Sequence, residues 1–363
     1  MFFSHLFKSH LFRTKPKKSS EEKYRELAIN NAKAMMAENY LSPSQIEAVI
    51  CQNQDLDFLR DEAREMMNHP DINYLVTRLL PQKIRRIGRA PYTAEEAIDA
   101  VIVGDIIGSS LEFTEHDYLQ AETMQLPPRK SFHTDDTVLT KATYQAILDN
   151  PSEPDFRKAY IAAYKKEKGA GYGSAFVGWA EGADVDNTKG YHSYGNGCAM
   201  RIAPIAFYYD DILTMIHHTI SSVMVTHDHV ESVKASIVLN VCVWMALHGY
   251  CKEDIIRYCQ EHYGPVTDNY LYKSSYYDTT QPLPEVKATQ PISRASLFAN
   301  YAVPFAIRCF YETTDYLSCM RKILSYYGDT DTICAIAASL CFAYYGNIGL
   351  NVEETLAMDR HKI

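Results

Sequence analysis

Two short segments constrain this chain more than any others: His133-Thr134-Asp135-Asp136-Thr137 and, far downstream, Gly328-Asp329-Thr330-Asp331-Thr332. Each sets two aspartates among threonines at the start of a long apolar run, residues 138–148 in one case and 333–345 in the other. Neighbouring carboxylates repel, and Asp and Thr compete with a helix for its backbone hydrogen bonds. Taken singly, either segment reads as an Asp pair capping a helix. Taken together, the two helix starts can bring four carboxylates to one place, where a divalent cation would neutralise them. Carboxylate and hydroxyl oxygens suit Mg²⁺, Mn²⁺ or Ca²⁺ rather than zinc.

The 363 residues are enough for a large core in one or two domains, and 47% hydrophobic with 22% charged residues is the balance of an ordinary globular protein. A net charge of −9 argues against a general nucleic-acid binder. The nine cysteines form no C-x-x-C pair, and Cys242, Cys334 and Cys341 fall within apolar helical runs. They read as reduced, buried thiols, which points to a cytoplasmic location. No apolar run approaches the ~18 residues of a membrane span.

The N-terminus differs in character. Residues 1–18 carry Lys8, Arg13, Lys15, Lys17 and Lys18, no acid, and alternating aromatic or Leu residues. The apolar core of a signal peptide is missing. The segment reads as a flexible basic tail or as one that docks on an acidic partner. Short helices follow: one capped by Ser19 and Glu22, one started by Ser42-Pro43 with Gln45, one over residues 56–67 and one over 71–80. A basic linker, residues 83–89, closes this helical extension, so the expected division is 1–90 and 91–363.

The second domain opens at a Thr93-x-x-Glu96 capping box. Its first helix runs into Gly104-Asp105-Ile106-Ile107-Gly108, where glycines four apart on one face permit close helix approach. Asp105 and Glu112, seven apart, share a face if that helix is continuous. Gly169-Ala170-Gly171-Tyr172-Gly173 breaks a later helical region. Ser193-Tyr194-Gly195-Asn196-Gly197, with a helix over 199–208 starting directly after it, has the makings of a backbone cradle for a phosphate. Arg201 on that first turn either strengthens anion binding or pairs with a carboxylate. In Thr226-His227-Asp228-His229 the histidines are too close in sequence to share a helix face, which argues against zinc, and Asp228 reads as a helix cap. Residues 264–294, rich in Tyr, Pro, Thr and Ser, read as a long loop of the kind that borders a cleft.

The order GDxxGxxxE, TDDT, GYG, SYGNGxAMR, TH and GDTDT over about residues 97–349 resembles the ADP-ribosylglycohydrolase superfamily, which includes the dinitrogenase-reductase-activating glycohydrolases. The resemblance implies an all-α orthogonal helical bundle, two Mg²⁺ ions (or Mn²⁺) in a cleft, and removal of ADP-ribose from modified protein side chains. Carried over, Thr134, Asp135 and Asp136 bind one side of the metal pair, and Asp329, Asp331 and Thr332 the other. Glu112 is a metal ligand or acid/base, and Glu112, Asp135 and Asp331 are the catalytic candidates. Ser193, Tyr194, Gly195, Asn196, Gly197, Met200, Arg201, Gly173 and His227 surround the substrate. The sequence departs from the family pattern at Tyr327, where many relatives have glycine. Two other functions stay open: an immunity protein that grips an ADP-ribosyltransferase toxin through the N-terminal extension, and a hydrolase of a non-protein ADP-ribose conjugate.

Overall fold

The computed structural model describes residues 26, 29, 30, 33, 37, 41–52, 71–84, 88–182, 190–265, 276–284 and 294–359. The basic segment 1–18, the helices expected from Ser19 and over 56–67, and much of the loop 264–294 lie outside the described residues. Among those described there are fourteen α-helices, α1 to α14: Pro43–Gln52, Ile72–Leu79, Ala94–Ser109, Asp135–Asp149, Phe156–Lys166, Ser174–Gly182, Ala203–Tyr208, Ile212–Met224, Val230–Leu247, Lys252–His262, Ala299–Glu312, Tyr316–Leu324, Thr330–Tyr345 and Val352–Ala357. No strand occurs among the described residues, where β-type pairing is limited to a bridge between Gly195 and Phe298. The expected all-α class is the observed one.

Packing divides the chain into two compact units, Met1–Met67 and Asn68–Ile363. In the first, α1 starts as its sequence dictates: Ser42 N–H donates to Gln45 Oε1 at 2.9 Å and Gln45 N–H to Ser42 Oγ at 3.4 Å. An exposed Lys33–Glu47 pair at 2.8 Å lies beside it. The second unit begins upstream of residue 91, because α2 belongs to it. Asp71 caps α2, and Tyr258 Oη, from α10, donates to Leu79 O at 2.7 Å.

At the centre of this unit α3 crosses α13, the most extensive helix contact in the fold. Both helices are apolar on every side and buried almost throughout, as helices enclosed by others must be. The crossing is close because of two glycines. A Cβ on Gly104 would stand 2.7 Å from Ala338 Cβ, and one on Gly108 only 2.4 Å from Asp331 Cα. Helices α9, α11 and α12 pack around α13. Pro304 lies inside α11 and cannot donate to the carbonyl of Asn300, and Tyr277 N–H takes that acceptor at 3.1 Å instead.

Three details differ from the sequence expectation. Helix α9, 18 residues long, is apolar enough by length and composition to cross a membrane, although no run was expected to approach that length. All of it is buried inside the fold. Its cap is His229, whose ring accepts from Glu231 N–H, not Asp228. The helix expected directly after Gly197 is first a single 3₁₀ turn, Asn196–Cys198, and α7 begins only at Ala203, with Pro204 in its first turn.

The α3–α13 crossing generates a test. Gly108→Ala should destabilise the protein by about 1–3 kcal/mol, as overpacking does, and reduce activity, because the atom struck is the Cα of Asp331. Urea unfolding measures it. Wild-type stability in that variant would mean that the two backbones are not in contact there.

Candidate active site

Asp105 organises the site. It sits on α3 between the two glycines, fully buried, and its carboxylate accepts four hydrogen bonds from one segment of chain. Thr134 donates from N–H at 2.8 Å and Oγ1 at 2.9 Å, and Thr137 from N–H at 3.1 Å and Oγ1 at 2.5 Å. The threonines that make the segment a poor helix interior are thus its attachment points. Thr134 also caps α4. Asp136 Oδ2 lies 3.1 Å from Thr134 Oγ1 and accepts from Thr332 Oγ1 at 3.3 Å, while its Oδ1 is buried without any hydrogen-bond partner.

The second segment comes in from α13. Asp329 N–H donates to Ser296 Oγ at 3.1 Å, and Asp329 Oδ2 accepts from Asn196 Nδ2 at 2.8 Å. Asp331 Oδ1 accepts from Thr332 N–H at 2.9 Å. Carboxylate oxygens of Asp105, Asp136 and Asp331 lie within 4.8 Å of one another, and so do those of Glu112, Asp329 and Asp331. Asp331 belongs to both triplets. Helix α3 ends at Ser109, so Glu112 does not reach the cluster along a helix face; it comes from the turn beyond. There Phe113 N–H donates to Gly328 O at 2.9 Å and Tyr327 Oη donates to Phe113 O at 2.9 Å. Asp135 lines the same cavity beside Gly171.

Among the described residues, no lysine, arginine or histidine forms an ion pair with any of these six acids. Five of these carboxyls keep their protons to higher pH than a free acid does. Burial, then repulsion from Asp105 and Asp329, raises Asp135 to about 8. The Glu112 residue is exposed, but its carboxyl turns inward, and lost hydration followed by repulsion from Asp329 and Asp105 raises it to about 7. Burial in the first place pushes Asp105, Asp136 and Asp331 up as well. Oxygen donors this close, one of them an orphaned buried carboxylate oxygen, suit a hard divalent cation.

All six acids except Asp105 line a cavity of about 630 Å³. Of the residues expected at the site, Thr134, Gly173, Ser193, Gly195, Asn196, Gly197, Met200, Arg201, His227 and Thr332 line it together with the acids. Tyr194 does not. The chain alternates here: Tyr191, Ser193 and Gly195 face the cavity, while His192 and Tyr194 point away. The Tyr194 ring stacks on Phe298 at 5.1 Å and is 41% exposed. Asn196 has a structural task besides lining the cavity, since its amide joins Asp329 to Ser296 O. Arg201 is wholly buried over the Tyr160 ring at 4.2 Å, donates to Thr226 Oγ1 at 2.6 Å, and leaves Nε and Nη1 without partners. It does not pair with a carboxylate. His227 Nδ1 lies 2.7 Å from the same Thr226 hydroxyl. Burial, helped by the Arg201 charge, keeps that imidazole neutral.

Sequence reasoning assigned no role to Asp105, although Gly-Asp inside an apolar helix was its signal. The apolar wall residues Phe132, Phe176, Tyr191 and Leu297 had no signal at all, because an aromatic in a cavity wall looks like one in the core.

The chain resembles known proteins in sequence and in fold. The model of the family described as ADP-ribosylglycohydrolase matches residues 94–356. The mouse protein "ADP-ribosylhydrolase ARH3" is 25% identical over 59% of this chain and 70% of its own length. Its Xenopus tropicalis counterpart is 24% identical over 72% and 89%. A solved structure titled "ADP-ribosylglycohydrolase-related protein complex" superposes with a TM-score of 0.54 at 23% identity, covering 73% of this chain and 94% of its own.

The raised carboxyls have a consequence for stability. Between the unfolded value near pH 4 and its folded value, each keeps a proton that the unfolded chain has released. Their stabilising contribution is therefore complete below the unfolded value. It is lost as pH rises through the folded values, about 7 for Glu112 and about 8 for Asp135. The metal-free protein should melt at a lower temperature at about pH 8.5 than at about pH 6. The gain on replacing EDTA by Mg²⁺ should grow over the same range, because the cation takes the place of the protons. Scanning calorimetry at both pH values checks this, and an increment independent of pH would contradict it.

Proposed function

Since the chain belongs to the ADP-ribosylglycohydrolase family, whose members hydrolyse glycosidic bonds, we propose that it is a divalent-cation-dependent enzyme that removes ADP-ribose from modified protein side chains. The observation that supports this most is the pair of carboxylate triplets joined at Asp331 on the floor of a cavity large enough for a nucleotide. Asp105, Asp136 and Asp331 would hold one Mg²⁺, and Glu112, Asp329 and Asp331 a second, with Thr134 and Thr332 hydroxyls beside them. Bound there, the cations would supply positive charge for the ribose hydroxyls and acidify water.

The protein's own groups do the rest. The bond from the ribose to the side chain breaks through an oxocarbenium-like state, water adds to the sugar carbon, and the leaving group gains a proton. Glu112, at the edge of the cluster and open to solvent, can take a proton from water and return it to the leaving group. Gly195, Gly197 and neutral His227 border the space for the ribose and diphosphate, where an uncharged imidazole can hydrogen-bond without adding a fixed positive charge. Phe132, Phe176 and Leu297 provide apolar walls that exclude water.

The test is incubation with proteins carrying ADP-ribose on arginine or on serine, and with a non-protein conjugate, each with Mg²⁺ and with EDTA. Release of ADP-ribose from a protein only with the cation is expected. Asp331→Ala should abolish release and weaken Mg²⁺ binding, since it removes a ligand common to both triplets. Glu112→Gln should lower turnover by a factor on the order of 10² while leaving ADP-ribose binding within about tenfold. Wild-type turnover in Asp331→Ala would end the two-cation reading; wild-type turnover in Glu112→Gln would move the base to Asp135.

A further inference from the structure

We propose that Asp359, acting through His133, is a positioning residue that fixes the metal-ligand segment 134–136 and the cavity wall at 169–171. This rests on the cation-dependent reading of the site above.

His133 immediately precedes Thr134, and its imidazole is held at both nitrogens. Nδ1 bonds Asp359 Oδ2, and Nε2 bonds Glu167 Oε1. A ring bonded to a carboxylate at each nitrogen is fixed in both position and rotation. Asp359 also takes the His133 backbone N–H on Oδ1 at 3.3 Å. One buried carboxylate, 2% exposed, therefore grips both the main chain and the side chain of the residue before the first ligand.

The grip reaches two parts of the site. Downstream of His133, Thr134 and Thr137 aim four donors at Asp105, and that arrangement needs the register of the segment to be fixed at its start. On the other side, Glu167 ends α5 and leads into the turn that lines the cavity. Gly171 in that turn has φ +99°, and a Cβ there would stand 3.7 Å from Asp135 Oδ1. The chain Asp359–His133–Glu167 thus ties together three stretches: the one after α14, the ligand segment, and the wall beside Asp135. Asp359 lies just past residue 356, where the match to the family model ends. Partners behind metal ligands that orient them this way typically govern affinity as well as rate.

The experiment compares Mg²⁺ binding by calorimetry, hydrolysis and melting for four variants of the full chain. Asp359→Asn is expected to weaken Mg²⁺ binding and lower kcat, each about tenfold or more, with KM within about twofold, and Asp359→Glu to recover part of both. His133→Gln should do the same, and the double variant should be no worse than the more damaged single one, because the two act as one unit. The control is Leu356→Ala, which loosens the same C-terminal stretch where Leu356 packs on Ile98, Ile102 and Ile106. It should lower the melting temperature and leave Mg²⁺ affinity unchanged. Wild-type Mg²⁺ affinity and kcat in Asp359→Asn, with only a fall in melting temperature, would make Asp359 a purely structural residue. Additive losses in the double variant would show that it does not act through His133. Wild-type protein that neither binds Mg²⁺ nor releases ADP-ribose would overturn the hydrolase reading and this inference with it.

Discussion

The rest of the molecule depends on bringing like charges together where they least belong. Six carboxylates lie close together, five of them lining one cavity and several buried, with no side-chain cation paired to any among the described residues. At van der Waals separations such repulsion exceeds the net stability of most domains unless it is screened or neutralised. The close crossing of α3 and α13 makes the arrangement possible. Gly108 lets the first turn of α13 lie against α3, and Gly104 does the same for Cys334 and Ala338 further along, so Asp105 and Asp331 arrive as parts of two rigid rods and not as mobile loop residues. The packing that builds the core therefore also sets the geometry of the charges.

Hydroxyls and amides then hold the acids without discharging them. Thr134, Thr137 and Thr332 donate to Asp105 and Asp136, Ser296 receives the Asp329 N–H, and Asn196 donates to the Asp329 side chain. A lysine in any of these places would fix the carboxylate equally well and quench its charge. One hydroxyl proton on Thr134 stands between Asp105 at 2.9 Å and Asp136 at 3.1 Å, so it satisfies one of them at a time. The residual need for positive charge is left to an ion or a proton, as a site that binds cations reversibly requires.

Much of this was readable in advance where a local rule applied. Thr93 with Glu96 and Ser42 with Gln45 cap helices as their spacing implies. The Gly104–Gly108 face and the two Asp/Thr segments announced the crossing and the cluster. Where the outcome depended on tertiary competition, the reading failed or stopped short. His229 displaced Asp228 as the cap of α9 because Asp228 was taken by the backbone N–H of His192, at 2.6 Å. The helix after Gly197 starts late because Asn196 and Arg201 turn inward to Asp329 and Thr226, and Pro204 sets the new start. Tyr194 turned outward to stack on Phe298, the residue that Gly195 bridges. Asp359 carries no pattern at all: its role comes only from folding back onto His133.

The fate of Arg201 shows how strictly the site keeps cations of its own away. Buried guanidinium groups ordinarily seek carboxylates, and acids are abundant in the same cavity wall. Arg201 instead lies over the Tyr160 ring, gives Nη2 to Thr226 and Ser222 O, and forms no ion pair among the described residues. Cation–π contact and neutral acceptors stabilise it where it is. From there its charge reaches His227, which it helps to keep unprotonated. A protonated His227 would be a second fixed cation facing the cavity, and a salt bridge from Arg201 would remove a ligand. By tying the arginine to an aromatic ring, the fold leaves the carboxylates without a paired side-chain cation among the described residues and keeps a neutral imidazole in the lining of the same cavity.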